Sequence, residues 1–128
     1  MLAGFLLGAP TAVNAQAAAR AGEQIYKEVC SVCHATGVAN APTFGDKAKW
    51  ASRIKEGQTH VTADGWIGER GMPAKGGRDD LSLEEFAKAV AFMARAAGAS
   101  WKDPDAKMLQ RIRSEESKRR QAMKATKK

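Results

Sequence analysis

The residues with the most specific chemistry in the chain are Cys30-Ser31-Val32-Cys33-His34. Cysteines three apart lie on one face of a helical turn. Two thiols so placed match the two vinyl groups of a porphyrin, and each forms a thioether with one of them. His34 follows at once and offers an imidazole to an iron at the ring centre. The spacing therefore predicts covalent attachment of one haem c, iron included. Two rival chemistries also use paired cysteines. A thioredoxin-like redox pair needs a βαβ pattern, and none is legible. A structural zinc site needs four ligands, and beyond this motif the chain offers only the distant His60.

A haem iron held by His34 has a second axial position. The candidates are Met72, Met93, Met108, Met123 and His60. Met93 falls on an apolar helix face and reads as core. Met108 and Met123 belong to a charged segment, and His60 to a polar stretch that reads as exposed. Met72 sits between Gly71 and Pro73, where the backbone is free to present a thioether to the ring. Met72 is thus the expected partner of His34 on the metal. A His/Met pair raises the potential and leaves no open position, which suits electron transfer rather than oxygen chemistry. Trp50 and Trp66 are expected to pack against the ring, the other use of an indole N–H there being a hydrogen bond to a propionate.

The elements that must hold these residues read as helices. Ala17 to about Val32 is Ala-rich with Glu and Lys, and Ile25 and Val29 are four apart. Asp46 to Lys55 reads as a short helix with Trp50 and Ile54 on one face and Gly57 as its stop. Thr62 to Glu69 reads as another, carrying Trp66 and Ile67. Between Arg70 and Asp80, Gly71, Pro73, Gly76 and Gly77 break any regular pattern. Ser82 and Glu85 form a capping-box signature, flanked by Leu81 and Phe86 at the positions of a hydrophobic staple. Phe86, Val90 and Met93 then recur at helical spacing until Gly98. No alternating strand pattern and no internal repeat is present, so the predicted fold class is all-α.

A length of 128 residues suits one domain. Apolar residues make up 44% but aromatics only 6%, so a core of side chains alone is thin and a cofactor is expected to fill it. No apolar run reaches the ~20 residues of a membrane span. Leu2 to Ala9, followed by Pro10 and by Val13-Asn14-Ala15, resembles the apolar stretch and cleavage site of a secretory signal. No Lys or Arg precedes it, so either the start lies upstream or the α-amino group alone supplies the charge. Residues 1–16 are accordingly read as a signal peptide, cut after Ala15 or Ala17, and the protein as periplasmic or exported.

Charge divides the remainder. Residues 106–128 hold nine Lys and Arg against Glu115 and Glu116, which accounts for the whole net charge of +7. The body is neutral, so the basic balance does not indicate nucleic acid. The boundaries are residues 17–102 for the haem domain and 103–128 for a basic extension. Asp103-Pro104-Asp105 reads as a helix start, and Met108, Leu109 and Ile112 form one apolar patch. Beyond Ile112 no apolar stripe continues, and fraying is expected. The extension is either a solubilising tail or a docking arm for an acidic protein or an anionic membrane surface.

Taken together, Gly22-Glu23-Gln24-Ile25-Tyr26, CSVCH, the Gly37–Pro42 segment, Phe44-Gly45-Asp46-Lys47, Trp50 and Met72-Pro73-Ala74-Lys75-Gly76-Gly77 resemble a class I c-type cytochrome of the bacterial cytochrome c5-like group. The likeness covers about residues 20–98. It implies a small cytochrome c fold and a soluble, non-enzymatic carrier of single electrons between redox proteins. It also implies that the Pro42 carbonyl accepts the second ring N–H of His34, and that Gly22 and Tyr26 cross Phe92 and Met93. Many members carry a further cysteine pair after the Gly-Gly. Arg78 and Asp79 stand there instead, so that disulfide is not expected. The alternative is a haem-bearing subunit or sensor of a larger redox complex, with the basic extension as its docking arm.

Overall fold

The computed structural model describes Gly8 and residues 19–127. The proposed signal segment lies outside the described residues, Gly8 excepted. The elements are α1 (Gly22–Ile25), a π-helical turn (Tyr26–Cys30), α2 (Ser31–His34), α3 (Lys47–Glu56), α4 (Gln58–Ile67), α5 (Leu83–Ala96) and α6 (Ala106–Ala125). Two short 3₁₀ turns, Val38–Asn40 and Ala74–Gly77, punctuate the loops. Among the described residues there is no strand, only the single bridge Glu69–Met72.

The α1–α2 stretch crosses α5, and the two backbones come closest at Gly22. A Cβ at Gly22 would run into the Lys88 carbonyl, so only glycine lets the two backbones come this close. The helix starts at Gly22, with residues 19–21 not helical and Ala17 outside the described residues, and Gly22 faces Lys88 and Ala89 rather than Met93. Tyr26 stacks on Phe44 with ring centroids 4.5 Å apart, and both rings lie 5.6 Å from Phe92. Arg20 completes this junction. Its backbone N–H and its Nε both donate to Glu85 Oε2, at 3.2 and 2.6 Å, and its other arm reaches Glu28 at 2.8 Å.

The remaining helices follow their caps. Asp46 accepts from the Lys49 N–H at 3.1 Å and opens α3, which Gly57 ends at a positive φ of 102°. The next helix starts directly at Gln58, four residues earlier than its apolar pattern indicates, so His60 is helical, though exposed. The Ser82–Glu85 capping box is closed on both sides, at 3.1 and 3.2 Å, with Leu81 and Phe86 buried beside it.

The C-terminal helix departs most from expectation. It is continuous over 20 residues, capped by Asp105 on the Met108 N–H at 2.7 Å, and it packs on α4. Ile112 is fully buried. Beyond it polar contacts replace the missing apolar stripe. Arg119 bridges Asp64 of α4 at 2.6 Å and Glu115 of its own helix at 2.7 Å. The helix is thus packed, not frayed, and it adds to the same core.

Candidate functional site

The helical turn after the π-helical segment carries the motif. A π turn widens the helix locally, and such turns recur at functional sites. Here it precedes Ser31–His34 directly. Cys30 and His34 are buried, and Cys33 is half-buried. All three line one cavity of about 310 Å³ together with Pro42, Trp50 and Met72. Val29, Val38, Val61, Phe86, Val90 and Met93 supply much of its apolar wall. Burial pushes the Cys30 thiol up to about 11, so it stays protonated in this setting.

His34 is fixed by its neighbours. Its Nδ1 lies 2.9 Å from the Pro42 carbonyl oxygen. A carbonyl only accepts, so Nδ1 carries the proton and Nε2 is left with a free electron pair. Burial lowers the affinity of the ring for a second proton, and Arg53 lowers it further; the Pro42 hydrogen bond opposes both. The imidazole is thereby held neutral in the tautomer that a metal requires. The Trp50 ring sits 6.1 Å from it, and the indole N–H donates to the Thr43 carbonyl at 3.2 Å. That donor is therefore already engaged with the backbone.

Met72 arrives from a different part of the chain. Glu69 and Met72 exchange backbone hydrogen bonds of 2.8 and 3.0 Å, closing a tight turn with Arg70 at φ 51°. The turn brings the thioether to the cavity beside Gly65, where a Cβ would touch Phe86 Cζ at 2.9 Å and Met72 Cε at 3.4 Å. Only glycine at this position leaves room for both side chains.

Of the other sulfur candidates, Met93 is buried and also reaches the cavity wall, whereas Met108 and Met123 lie on α6 away from it. Trp66 packs on Phe86 at 5.6 Å and under the Lys75 ammonium at 4.6 Å, one side chain behind the cavity wall that Phe86 supplies. Three cations that sequence reasoning passed over, Arg53, Arg70 and Arg78, stand on the wall. The only sequence signal for them was the position of Arg53, one turn after Trp50.

The residues fit a macrocycle. Two thiols, an imidazole with a free Nε2 and a thioether converge on one mostly apolar space, with cations at hand for carboxylates. A zinc reading lacks support, since no cluster of three His, Cys, Asp or Glu side chains exists among the described residues. Fold and site together define a c-type cytochrome domain. The family described as "Cytochrome C oxidase, cbb3-type, subunit III" matches residues 17–93, and the chain belongs to it.

Its relatives include a "Cytochrome c-555" of Chlorobaculum tepidum, 41% identical over 95 residues that span 69% of this chain and 88% of that one. A "Cytochrome c5" of Azotobacter vinelandii is 38% identical over 77 residues, covering 59% and 93%. Among solved structures, a chain from the "crystal structure of electron transfer complex of nitrite reductase with cytochrome c" has a TM-score of 0.57 and 42% identity. It matches over 59% of this chain and 93% of that one. The protein is a mono-haem c-type cytochrome of the c5-like class, an electron-transfer protein with covalently bound haem c.

Proposed function

We propose that Cys30 and Cys33 attach the haem, that His34 and Met72 ligate its iron, and that the protein shuttles single electrons between two redox proteins in the periplasm. Bound haem supplies a one-electron iron(III)/iron(II) couple. The chain does the rest. Pro42 orients His34, Gly65 leaves room for Met72, and the apolar wall excludes water. Arg53, Arg70 and Arg78 offset the carboxylates of the macrocycle. Val32 and Val38 belong to the cavity lining yet are 73% and 50% exposed. They give a redox partner an apolar rim on which to dock. His34 and Met72 together would leave the iron no open position, which suits a carrier rather than an enzyme.

The observation behind this reading is the convergence of Cys30, Cys33, His34 and Met72 on one cavity, although Met72 is 38 positions from His34 in the sequence. A reduced-minus-oxidised spectrum of the haem-loaded protein tests it. A c-type α-band and, in the oxidised form, the weak far-red band of Met ligation are expected. A colourless protein, or one whose mass lacks the macrocycle, overturns it. A second reading, membership of a larger oxidase assembly, is favoured only by the description of the matched family. Size-exclusion of native extracts separates the two, because a free carrier elutes as a monomer no larger than the 13.7 kDa of the full chain plus its haem.

A further inference from the structure

From the packing of α6 we infer that its outer face is a docking surface for an anionic lipid bilayer, separate from the rim where electrons are exchanged. The inward row of the helix is spent on the fold. Ile112, Glu115 and Arg119 face α4, so the acidic residues of α6 point toward the body and not toward solvent. Glu116 is also mostly covered and pairs with Arg120.

What remains outside is patterned. Lys107, Arg111 and Lys118 recur at spacings of four and seven on one flank. Arg113, Arg120 and Lys124 recur at seven and four on the other. The row between is Gln110, Ser114, Ser117 and Gln121, short of charge and of bulk. Long basic side chains on both flanks of a neutral crest all reach one plane. A straight helix of 20 residues is about 30 Å long, so that plane is broad.

This pattern favours a lipid surface over a protein. A specific protein interface needs a buried apolar or aromatic anchor at its centre. The crest has none; the only exposed large hydrophobic residue of the helix is Met123, near its end. A bilayer of anionic headgroups demands only density of positive charge, and a cluster of four to eight cations on one helix meets that demand. Insertion is not required, because the apolar face of α6 is already covered by α4. Among the described residues no helix is long and apolar enough to cross a membrane. No residue of α6 lines the cavity. The α4 helix meets the cavity through Val61 and Gly65 and meets α6 through Asp64, so α4 stands between the two and the outer face of α6 shares no residue with the rim.

Co-sedimentation of the haem-loaded full chain with vesicles tests this, read by haem absorbance. Vesicles of phosphatidylcholine with phosphatidylglycerol are expected to take up the protein at low salt and to release it at high salt. Vesicles of phosphatidylcholine alone are expected to leave it in solution. Lys107, Arg113 and Lys124 have no acidic partner among the described residues, so replacing them with Gln spares the packing. The triple variant should partition about 100-fold less, at roughly fivefold per cation, with an unchanged melting midpoint and unchanged haem bands. Equal uptake by both vesicle types, no uptake, or full uptake of the triple variant overturns the inference. So does retention on polyglutamate beads without vesicle binding, which would assign the face to an acidic protein. Intact haem bands in any of these outcomes leave the electron-transfer reading untouched.

Discussion

At the scale of single residues, the site works by restricting what each donor atom is free to do. The Pro42 carbonyl accepts a hydrogen bond from His34 Nδ1–H at 2.9 Å and so leaves Nε2 free for a metal. Met72 has no such hydrogen bond. Its position depends on the Glu69–Met72 turn behind it and on the space at Gly65. The two proposed ligands therefore differ in how easily each would be lost. Replacing Met72 with Ala should abolish the far-red band of the oxidised protein and lower the reduction potential, since a thioether paired with histidine raises it. The reduced variant should bind carbon monoxide rapidly, while the parent should not. Retention of the far-red band in Met72→Ala would assign the second ligand to another sulfur, and Met93 is then the one that also reaches the cavity.

At the scale of elements, the helices are held where charges or backbones meet, as well as by apolar stripes. Arg20 ties the start of the chain to the N-terminus of α5 through Glu85. The Arg20 guanidinium and the Ser82 backbone N–H hold the Glu85 carboxyl down to about 2, against an ordinary 4.5, although burial opposes them. The sign follows from linkage. A depressed native pKa stabilises the fold above about 4.5, and that contribution is lost as pH falls toward about 2. Glu85→Gln should therefore lower the melting midpoint at neutral pH. The gap between the variant and the parent should shrink steadily from pH 4.5 to pH 2. A gap that stays constant across that window would mean the ion pair contributes nothing to stability.

The α6 helix makes the same point from the apolar side. Ile112→Ala removes a fully buried side chain and should cost about 2–5 kcal/mol in denaturant unfolding. Its haem spectrum should not change, because Ile112 is not on the cavity wall. A cost near zero would mean that α6 does not share the core.

These elements also show what was legible in advance. The α5 helix was readable to within a residue because its start is coded locally: Ser82, Glu85, Leu81 and Phe86 lie within a single turn. The motif at Cys30–His34 and the loop at Met72 were readable because each is a short string of special residues. The start of α1 was not, since no side-chain cap marks it: Ala21 stands at the N-cap position, and its methyl group cannot accept a hydrogen bond. The hold of α6 was not, since it runs through Arg119 and Asp64, which are 55 residues apart and leave no periodic trace. The neighbour of Trp66 in space, Phe86, was not legible either, since the two lie on different helices 20 residues apart.

At the scale of the whole molecule, the described helices surround a space that their own side chains do not fill. The Tyr26–Phe44–Phe92 cluster lies outside it, and of the Trp66–Phe86 pair only Phe86 reaches its wall. The cavity draws its wall from α2, the loop before α3, α4, the Met72 turn and α5, so almost every element depends on what occupies it. At about 24 cal/mol per Å³, a dry void of 310 Å³ would cost roughly 7 kcal/mol. That is as large as the entire stability of many small domains, about 5–15 kcal/mol. Water would relieve part of this cost but would wet an apolar wall. The protein freed of haem, for instance as Cys30→Ala with Cys33→Ala, should therefore melt broadly, without a sharp transition, and bind a hydrophobic dye. The α4–α6 contact, whose ion pairs do not touch the cavity, should be the last part to retain helical signal. A cooperative transition in the haem-free variant, at a midpoint close to that of the haem-loaded protein, would show that the helices alone specify the fold.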